Sequence, residues 1–260
     1  MRHAVVALNS VGMEIARKLR DALPEADVFL PAGLAQGASG LEATPFHNLR
    51  ELVSLLFARY QRLVFIMPLG IVVRIIAPQV KDKHTAPAIV VVDESIRFAI
   101  SLLSGHEGGA NLLALRVANA TGAEPVITTA AEASKRVVVG LGTRKGISPE
   151  AVRQAIDRAL QAAGRSLEEV RWVATMAGKA DEPGIVAACA LLGLPLRFFS
   201  RERIACFKGS YQRSGFVKQK IGVEGVCEPC VLLSGRDMEL ILPKTAFQGV
   251  TVAVGEESST

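Results

Sequence analysis

Aromatic side chains are scarce in these 260 residues: one Trp, two Tyr and ten Phe, 5% of the chain. Proteins that grip nucleic acid concentrate Lys and Arg in a stripe interleaved with aromatic platforms. Here the bases are dispersed, which argues against nucleic acid as a partner. Histidine is sparse too. His3, His47, His84 and His106 show no spacing such as His-x-x-x-His, so no protein-bound metal is expected. Cys189, Cys206, Cys227 and Cys230 crowd into the C-terminal third, unlike the spread framework of a secreted disulfide scaffold, and reduced thiols are expected. The longest apolar run, Leu63 to Pro78, is interrupted by Pro68, Gly70 and Arg74 and falls short of the roughly 20 residues a spanning helix needs. The start, MRHAVVALNS, passes into a strand-like run without a long apolar signal region, so a cytoplasmic protein with no membrane partner is expected.

What is present in quantity is apolar residues, 50% of the chain, against 21% charged. That supports one large core or two of moderate size, and two domains of about 130 residues suit the usual range better. The net charge of +5 favours an anionic partner, and without a basic aromatic stripe a small acidic ligand is expected.

Along the chain, short apolar runs alternate with helix-spaced segments. Val5–Leu8 and Val28–Leu30 read as strands around a helix over Met13–Leu23, a βαβ unit. A helix over Leu49–Tyr60, a strand over Leu63–Met67, a short helix over Gly70–Ala77 and a strand over Ala88–Val92, closed by Asp93 and Glu94, continue the pattern. Arg97–Leu103 reads as a strand, followed by a helix to about Ala120 and a strand over Glu124–Ile127. The polar segment TTAAEASKR then places a boundary between residues 133 and 134. Beyond it come strands over Val137–Leu141, Val170–Thr175 and Leu196–Phe199, and helices over Pro149–Ala163, with Ser148 as N-cap, and over Glu182–Leu192. Lys208–Lys220 reads as a basic surface loop able to serve as a lid, and Met238–Leu242 and Val250–Val254 as final strands joined through Pro243-Lys244. The expected fold class is α/β: two α/β domains with mainly parallel or mixed sheets, joined by a short linker.

The leading site candidate is the stretch Ser104-Gly105-His106-Glu107-Gly108-Gly109-Ala110-Asn111, between a strand and a helix. Glycines there let backbone approach a ligand, and free N–H groups at the helix start can hold an anion, though Gly-Gly before a helix is also ordinary turn chemistry. His106 is the histidine best placed for proton exchange near neutral pH; the alternative is a structural histidine. Gly140-Leu141-Gly142-Thr143-Arg144-Lys145-Gly146 can receive a carboxylate through its glycines and bases, or be a solvated turn. In Lys179-Ala180-Asp181-Glu182-Pro183-Gly184 the acids can serve simply to cap the next helix. Cys227-Glu228-Pro229-Cys230 is a lone C-x-x-C and reads as structural rather than redox-active.

Read together, GIVVRIIAP (Gly70 to Pro78), VVVDE (Val90 to Glu94), LLSGHEGGANLLA (Leu102 to Ala114) and PVITTA (Pro125 to Ala130) resemble the N-terminal domain of the cobalt-precorrin-5A hydrolase family, CbiG. VGLGTRKG (Val139 to Gly146), GKADEPG (Gly178 to Gly184), the loop with Ser214-Gly215-Phe216-Val217 and GVCEPCVLL (Gly225 to Leu233) resemble its C-terminal domain. The chain departs from the pattern in having Thr143 in place of a cysteine, Glu107 in place of an aliphatic residue and Ala86 in place of an aspartate before Pro87. Many members of the family also carry a middle domain, for which Thr129 to Val137 leaves no room.

The resemblance implies opening of a δ-lactone on an anionic cobalt-corrinoid with release of acetaldehyde. Cobalt enters with the substrate, so no cofactor is expected. A basic cleft would then engage the carboxylates through Arg74, Lys83, Arg144, Lys145 and Lys179, with Ser104, Gly105, Gly108, Gly109 and Asn111 forming the loop side. His106 is the expected general base, with N–H groups near Gly108 and Gly109 steadying the oxyanion. A homodimer and contacts with other enzymes of cobalamin synthesis are compatible with this reading. The competing expectation is a non-catalytic corrinoid-binding or escort protein.

Overall fold

The computed structural model describes residues 2–81, 85–179 and 182–258, the Phe216 side chain excepted. Contacts divide the chain into two compact units, Met1–Thr129 and Ala130–Thr260. Part of the polar stretch read as linker is a short helix, Ala130–Ala133, whose Glu132 pairs with Lys135 at 3.0 Å.

The first unit runs β1 (His3–Ala7), α1 (Ser10–Arg20), β2 (Ala26–Pro31), α2 (Ala32–Ala35), β3 (Thr44–Phe46), α3 (Leu49–Arg59), β4 (Arg62–Ile66), α4 (Leu69–Ile76), β5 (Ala88–Val92), β6 (Phe98–Leu103), α5 (Ala110–Thr121) and β7 (Glu124–Val126). Its sheet has the order β3-β2-β1-β4-β5-β6-β7. The chain works outward from β1 to β3, returns to β4 beside β1, and continues to the other edge. Strands β1 to β5 pair in parallel, whereas β6 is antiparallel to β5.

Side-chain alternation along the strands sorts the helices onto two faces. Val5, Ala7, Val64 and Ile66 point to one face and pack with Ile15 and Leu19 of α1 and Leu113, Ala114 and Val117 of α5. Their neighbours Ala4, Val6, Leu63 and Phe65 point to the other and pack with Leu52, Val53 and Leu56 of α3 and Val72 and Ile76 of α4. Each fully buried Leu, Ile, Val or Phe contributes roughly 1.5–3 kcal/mol by leaving water. The helix ends are set locally. Asn9 caps α1 by accepting from the Gly12 N–H, Asn48 caps α3 by accepting from Arg50 and Glu51, and Gly122 closes α5 with φ of 85°. The expected strands and helices of this unit are present within a few residues, and the short helix α2 and edge strand β3 are added.

The second unit runs α6 (Ala130–Ala133), β8 (Val137–Thr143), α7 (Pro149–Ala163), β9 (Val170–Met176), α8 (Pro183–Leu192), β10 (Leu196–Phe199), α9 (Arg201–Ala205), α10 (Gly215–Ile221), α11 (Cys227–Leu232), β11 (Met238–Phe247) and β12 (Val250–Glu257). The sheet order is β10-β9-β8-β12-β11, with β8, β9 and β10 parallel and β12 and β11 antiparallel. Ser148 caps α7 as expected, accepting from the Ala151 N–H.

The expected basic loop Lys208–Lys220 contains α10, capped by Ser214 through the Val217 N–H, so the lid reading loses much of its freedom. Pro243-Lys244 does not join two strands. It lies inside β11, on the sheet edge and at a register shift, where a missing N–H is tolerated. The turn is Gln248-Gly249, both with positive φ, which matches the twist of a hairpin.

Helix α11 lies directly on β8 at Gly140. A Cβ there would press into the Cys227 carbonyl and stand 2.7 Å from Val231 Cγ2. Gly140→Ala is therefore expected to cost roughly 1–3 kcal/mol of overpacking and to lower the thermal midpoint. Gly215→Ala, where a Cβ meets nothing within 4 Å, serves as the comparison and should be neutral or slightly stabilising. Equal midpoints for the two variants in calorimetry would contradict this packing.

Candidate active site

Because β6 runs against β5, the turn that follows it emerges at the edge where β1, β4 and β5 begin, not where they end. Contacts place it there: the Ser104 hydroxyl donates to the Ala86 carbonyl at 2.9 Å, just ahead of β5. Ser104 has φ of 56°, unusual for a residue with a Cβ, and its carbonyl accepts from the Ala110 N–H at 3.2 Å. The Gly105 carbonyl accepts from Asn111 at 3.0 Å. The first two N–H groups of α5 are thus consumed inside the turn. Those of Gly108 and Gly109 receive no hydrogen-bond partner among the described residues.

Crowding imposes two of the glycines, and backbone conformation the third. A Cβ on Gly105 would meet Thr129 Cγ2 at 2.6 Å and Asn111 Oδ1 at 2.8 Å, and one on Gly108 would meet Ser104 Cβ at 2.5 Å. Gly109 has φ of 82°, and a Cβ there would stand 3.4 Å from Nη2 of Arg62. Asn111, only 7% exposed, fastens the arrangement. Its Oδ1 accepts from the Ser101 hydroxyl at 2.8 Å and its Nδ2 donates to Thr129 Oγ1 at 2.9 Å. His106 is exposed at the crown of the turn and makes no hydrogen bond among the described residues. It is therefore not held as a structural histidine.

Under the turn lie two residues not anticipated from the sequence. His3, Arg62 and Ala88 stand side by side at the start of β1, β4 and β5. Arg62 Nη1 is 3.5 Å from His3 Nε2, while Arg62 Nε and His3 Nδ1 are buried without a partner. Burial and then the Arg62 charge hold the His3 imidazole below its ordinary value, Arg116 adding to this and Glu25 opposing it. A neutral His3 accepts from Arg62 without cancelling its charge. No ion pair to Arg62 occurs among the described residues.

The other expected ligands are dispersed. Arg74 lies in the last turn of α4, and its Nη1 stands 3.5 Å from where a Cβ on Gly70 would be, back along the helix toward the carboxyl end of β4. Among the described residues no hydrogen bond or ion pair joins Arg74 to the glycine turn. At that carboxyl edge, Asn9 after β1 donates to Glu94 after β5 at 2.7 Å. Lys83 lies outside the described residues.

In the second unit, Arg144 lies across the β11–β12 turn, its Nε 3.0 Å from a Cβ position on Gly249. Lys145 is exposed. Lys179 pairs with Glu182 at 3.5 Å. Glu182 does not cap α8 with its side chain, contrary to the capping expectation; its buried carboxylate accepts instead from the Gly146 N–H at 2.9 Å. The structure thus joins the GTRKG and KADEP loops through one carboxylate, and part of the Lys179 charge is already answered.

The C-x-x-C pair sits in α11 with both thiols free and buried. Burial pushes Cys227 up to about 11 and Cys230 well above the ordinary thiol value. Such thiols are poor nucleophiles at neutral pH. Glu228 between them is 2% exposed and accepts from the backbone N–H groups of Gln212 at 2.6 Å and Lys244 at 2.8 Å. Cys206 is exposed, unlike this pair.

Comparison with known proteins places these features in one family. Residues 51–132 match the family described as cobalamin synthesis G N-terminal, and residues 137–255 match cobalamin synthesis G C-terminus. The chain belongs to the cobalamin synthesis G family. It is 44% identical over 147 residues to a cobalt-precorrin-5A hydrolase of Priestia megaterium, a match covering 55% of this chain and 39% of that protein. It is 25% identical over 291 residues to a cobalt-precorrin-5A hydrolase of Salmonella typhimurium, covering 76% of this chain and 83% of that one. A third relative, protein CobE of a Sinorhizobium species, is 30% identical over 125 residues, covering 47% of this chain and 81% of its own. Between the two family matches lie only residues 133–136, so this member has no middle domain.

This cobalamin synthesis G chain also has a groove of about 560 Å³ along α3, lined by residues including Phe29, Phe46, Leu56, Arg59 and Tyr60. None of the candidate site residues read from the sequence lines it, although His47 does. Burial, with a hydrogen bond from the Tyr60 hydroxyl to Asp27 at 2.6 Å, pushes that phenol up to about 12.

Two measurements test this geometry. Asn111→Leu leaves the Ser101 and Thr129 hydroxyls without their shared partner and should cost roughly 1–3 kcal/mol in denaturant unfolding; a loss below about 0.5 kcal/mol would mean the amide does not hold the turn. His3 has a folded pKa below its unfolded value, so its stability contribution is present above pH 6.5 and is lost as pH falls below it. The stability advantage of wild type over His3→Asn should accordingly shrink between pH 7.5 and about 5.5, and a constant difference would contradict a neutral, buried His3.

Proposed function

We propose that this chain is a cobalt-precorrin-5A hydrolase. Water adds to the carbonyl of the δ-lactone, and the ring C–O bond breaks to give a carboxylate and an alcohol. The alcohol then gives up its proton to become the acetaldehyde carbonyl as the bond to the two-carbon unit breaks, and the electron pair left on the macrocycle takes up a proton, giving cobalt-precorrin-5B. Cobalt belongs to the substrate.

The observation that carries this reading is the turn after β6. Hydrolysis of an ester needs a proton acceptor beside hydrogen-bond donors for the developing oxyanion. The exposed, unbonded His106 and the unpartnered N–H groups of Gly108 and Gly109 supply both kinds of group on one turn of six residues. His106 is the proposed base and those N–H groups the proposed donors. The loop residues Ser104, Gly105 and Asn111 hold this arrangement, and Arg144, Lys145 and Lys179 are proposed to meet carboxylates of the substrate. A cytoplasmic location belongs to the same proposal; no helix among the described residues is long and apolar enough to cross a membrane.

The test is anaerobic incubation of purified protein with cobalt-precorrin-5A, measuring acetaldehyde and the mass of the corrinoid product. Stoichiometric release over a protein-free control is expected; tight binding without release would replace the hydrolase by a corrinoid escort. His106→Ala should lower turnover by roughly 10²-fold with the fold intact, and near-normal turnover removes His106 from the mechanism.

A further inference from the structure

The geometry points to Arg62 as a carboxylate-binding residue of the glycine turn, acting on a ring substituent of the substrate rather than on the reacting lactone. This rests on the reading of the turn as the substrate site.

Arg62 opens β4, and its guanidinium reaches the N-terminal end of α5, close enough that any side chain at position 109 would touch Nη2 at 3.4 Å. A cation beside a helix N-terminus is electrostatically misplaced, because the macrodipole already makes that end positive. The usual remedy is an acidic partner, yet no ion pair to Arg62 occurs among the described residues. The His3 ring beside it is 3% exposed and offers only a lone pair at 3.5 Å. The guanidinium therefore has one edge steadied by a neutral imidazole and another beside Gly109, while its Nε is buried without a partner.

A planar fork of donors with no acidic partner, its Nε buried and unpaired, is the complement of a carboxylate, because it can bind both oxygens at once and leaves the Gly108 and Gly109 N–H groups to the lactone. The register explains why the position is built in. Arg62 aligns with His3 on one side and Ala88 on the other, and a small residue at 88 leaves room for Gly108, whose Cβ position is 3.6 Å from Ala88 Cβ. A corrinoid bearing acetate and propionate arms offers several carboxylates. One bound here would orient the ring without entering the bond changes, so Arg62 is a binding residue and His106 remains the proposed base.

The experiment titrates the full chain, by calorimetry, with cobyrinic acid, a corrinoid with free carboxylates, and with its heptamethyl ester. Wild type should bind the acid more tightly than the ester, and Arg62→Gln should weaken the acid at least about tenfold while leaving the ester unchanged. If the chain turns over cobalt-precorrin-5A, Arg62→Gln should raise KM with kcat within about twofold, the signature of lost uniform binding, whereas His106→Ala lowers kcat. Equal affinity of wild type and Arg62→Gln for the acid, or equal affinity of wild type for acid and ester, overturns the assignment. Should Arg62→Gln fail to fold, Arg62→Lys, which keeps the charge but not the fork, must bind the acid about threefold more weakly, and unchanged affinity overturns it. Absence of acetaldehyde release refutes the hydrolase alone, because the calorimetric comparison does not depend on turnover.

Discussion

The direction of one strand governs the candidate site. Only residues 93–97 separate β5 from β6, too few for the crossover that a parallel neighbour requires, so the chain must reverse. Asp93 makes the reversal: its carboxylate accepts from the N–H groups of Arg97 at 2.9 Å and Phe98 at 2.7 Å, and Ile96 takes a φ of 56° to close it. Once β6 is reversed, its glycine turn must emerge where β1, β4 and β5 begin, and α5 must return along the face it shares with α1. The meeting of Arg62 with Gly109 follows from the strand's direction.

Much of the architecture was legible because the apolar runs are clean. AIVVV is buried along its whole length, as a strand covered on both faces must be, and Pro149–Ala163 begins behind a serine that caps it. The ends of elements and the weakest segments were harder. GFVKQKI carries too few apolar residues to show helical spacing, and only the bond from the Val217 N–H to Ser214 reveals its start. Pro243 looked like a terminator because proline forfeits a ladder bond. On an edge strand at a register shift that loss costs little.

The site itself was legible only in part. The glycine turn stands out because three glycines in eight positions are expensive unless the backbone demands them, and it does here: crowding at 105 and 108, and a φ of 82° at 109. Arg62 and His3 carry no such mark. Each is one polar residue before an apolar strand, separated by 59 positions, and only the register of three strands sets them beside the turn. Glu182 misleads in the opposite way: it precedes a proline at a helix start, which reads as a cap, while its carboxylate reaches back 36 residues to Gly146. The C-x-x-C motif is similarly a matter of surroundings. With both sulfurs buried, its most useful polar member is Glu228, which ties Gln212 to Lys244.

Thr129 is the last residue of the first unit, and it is also where the glycine turn rests its weight. Its hydroxyl receives the Asn111 amide, and its methyl fills the space that a side chain at position 105 would need. The point at which the chain leaves this unit is therefore a handle on the turn. The two braces of the turn, one polar and one apolar, thus come from a single side chain at the point where the chain passes into the second unit.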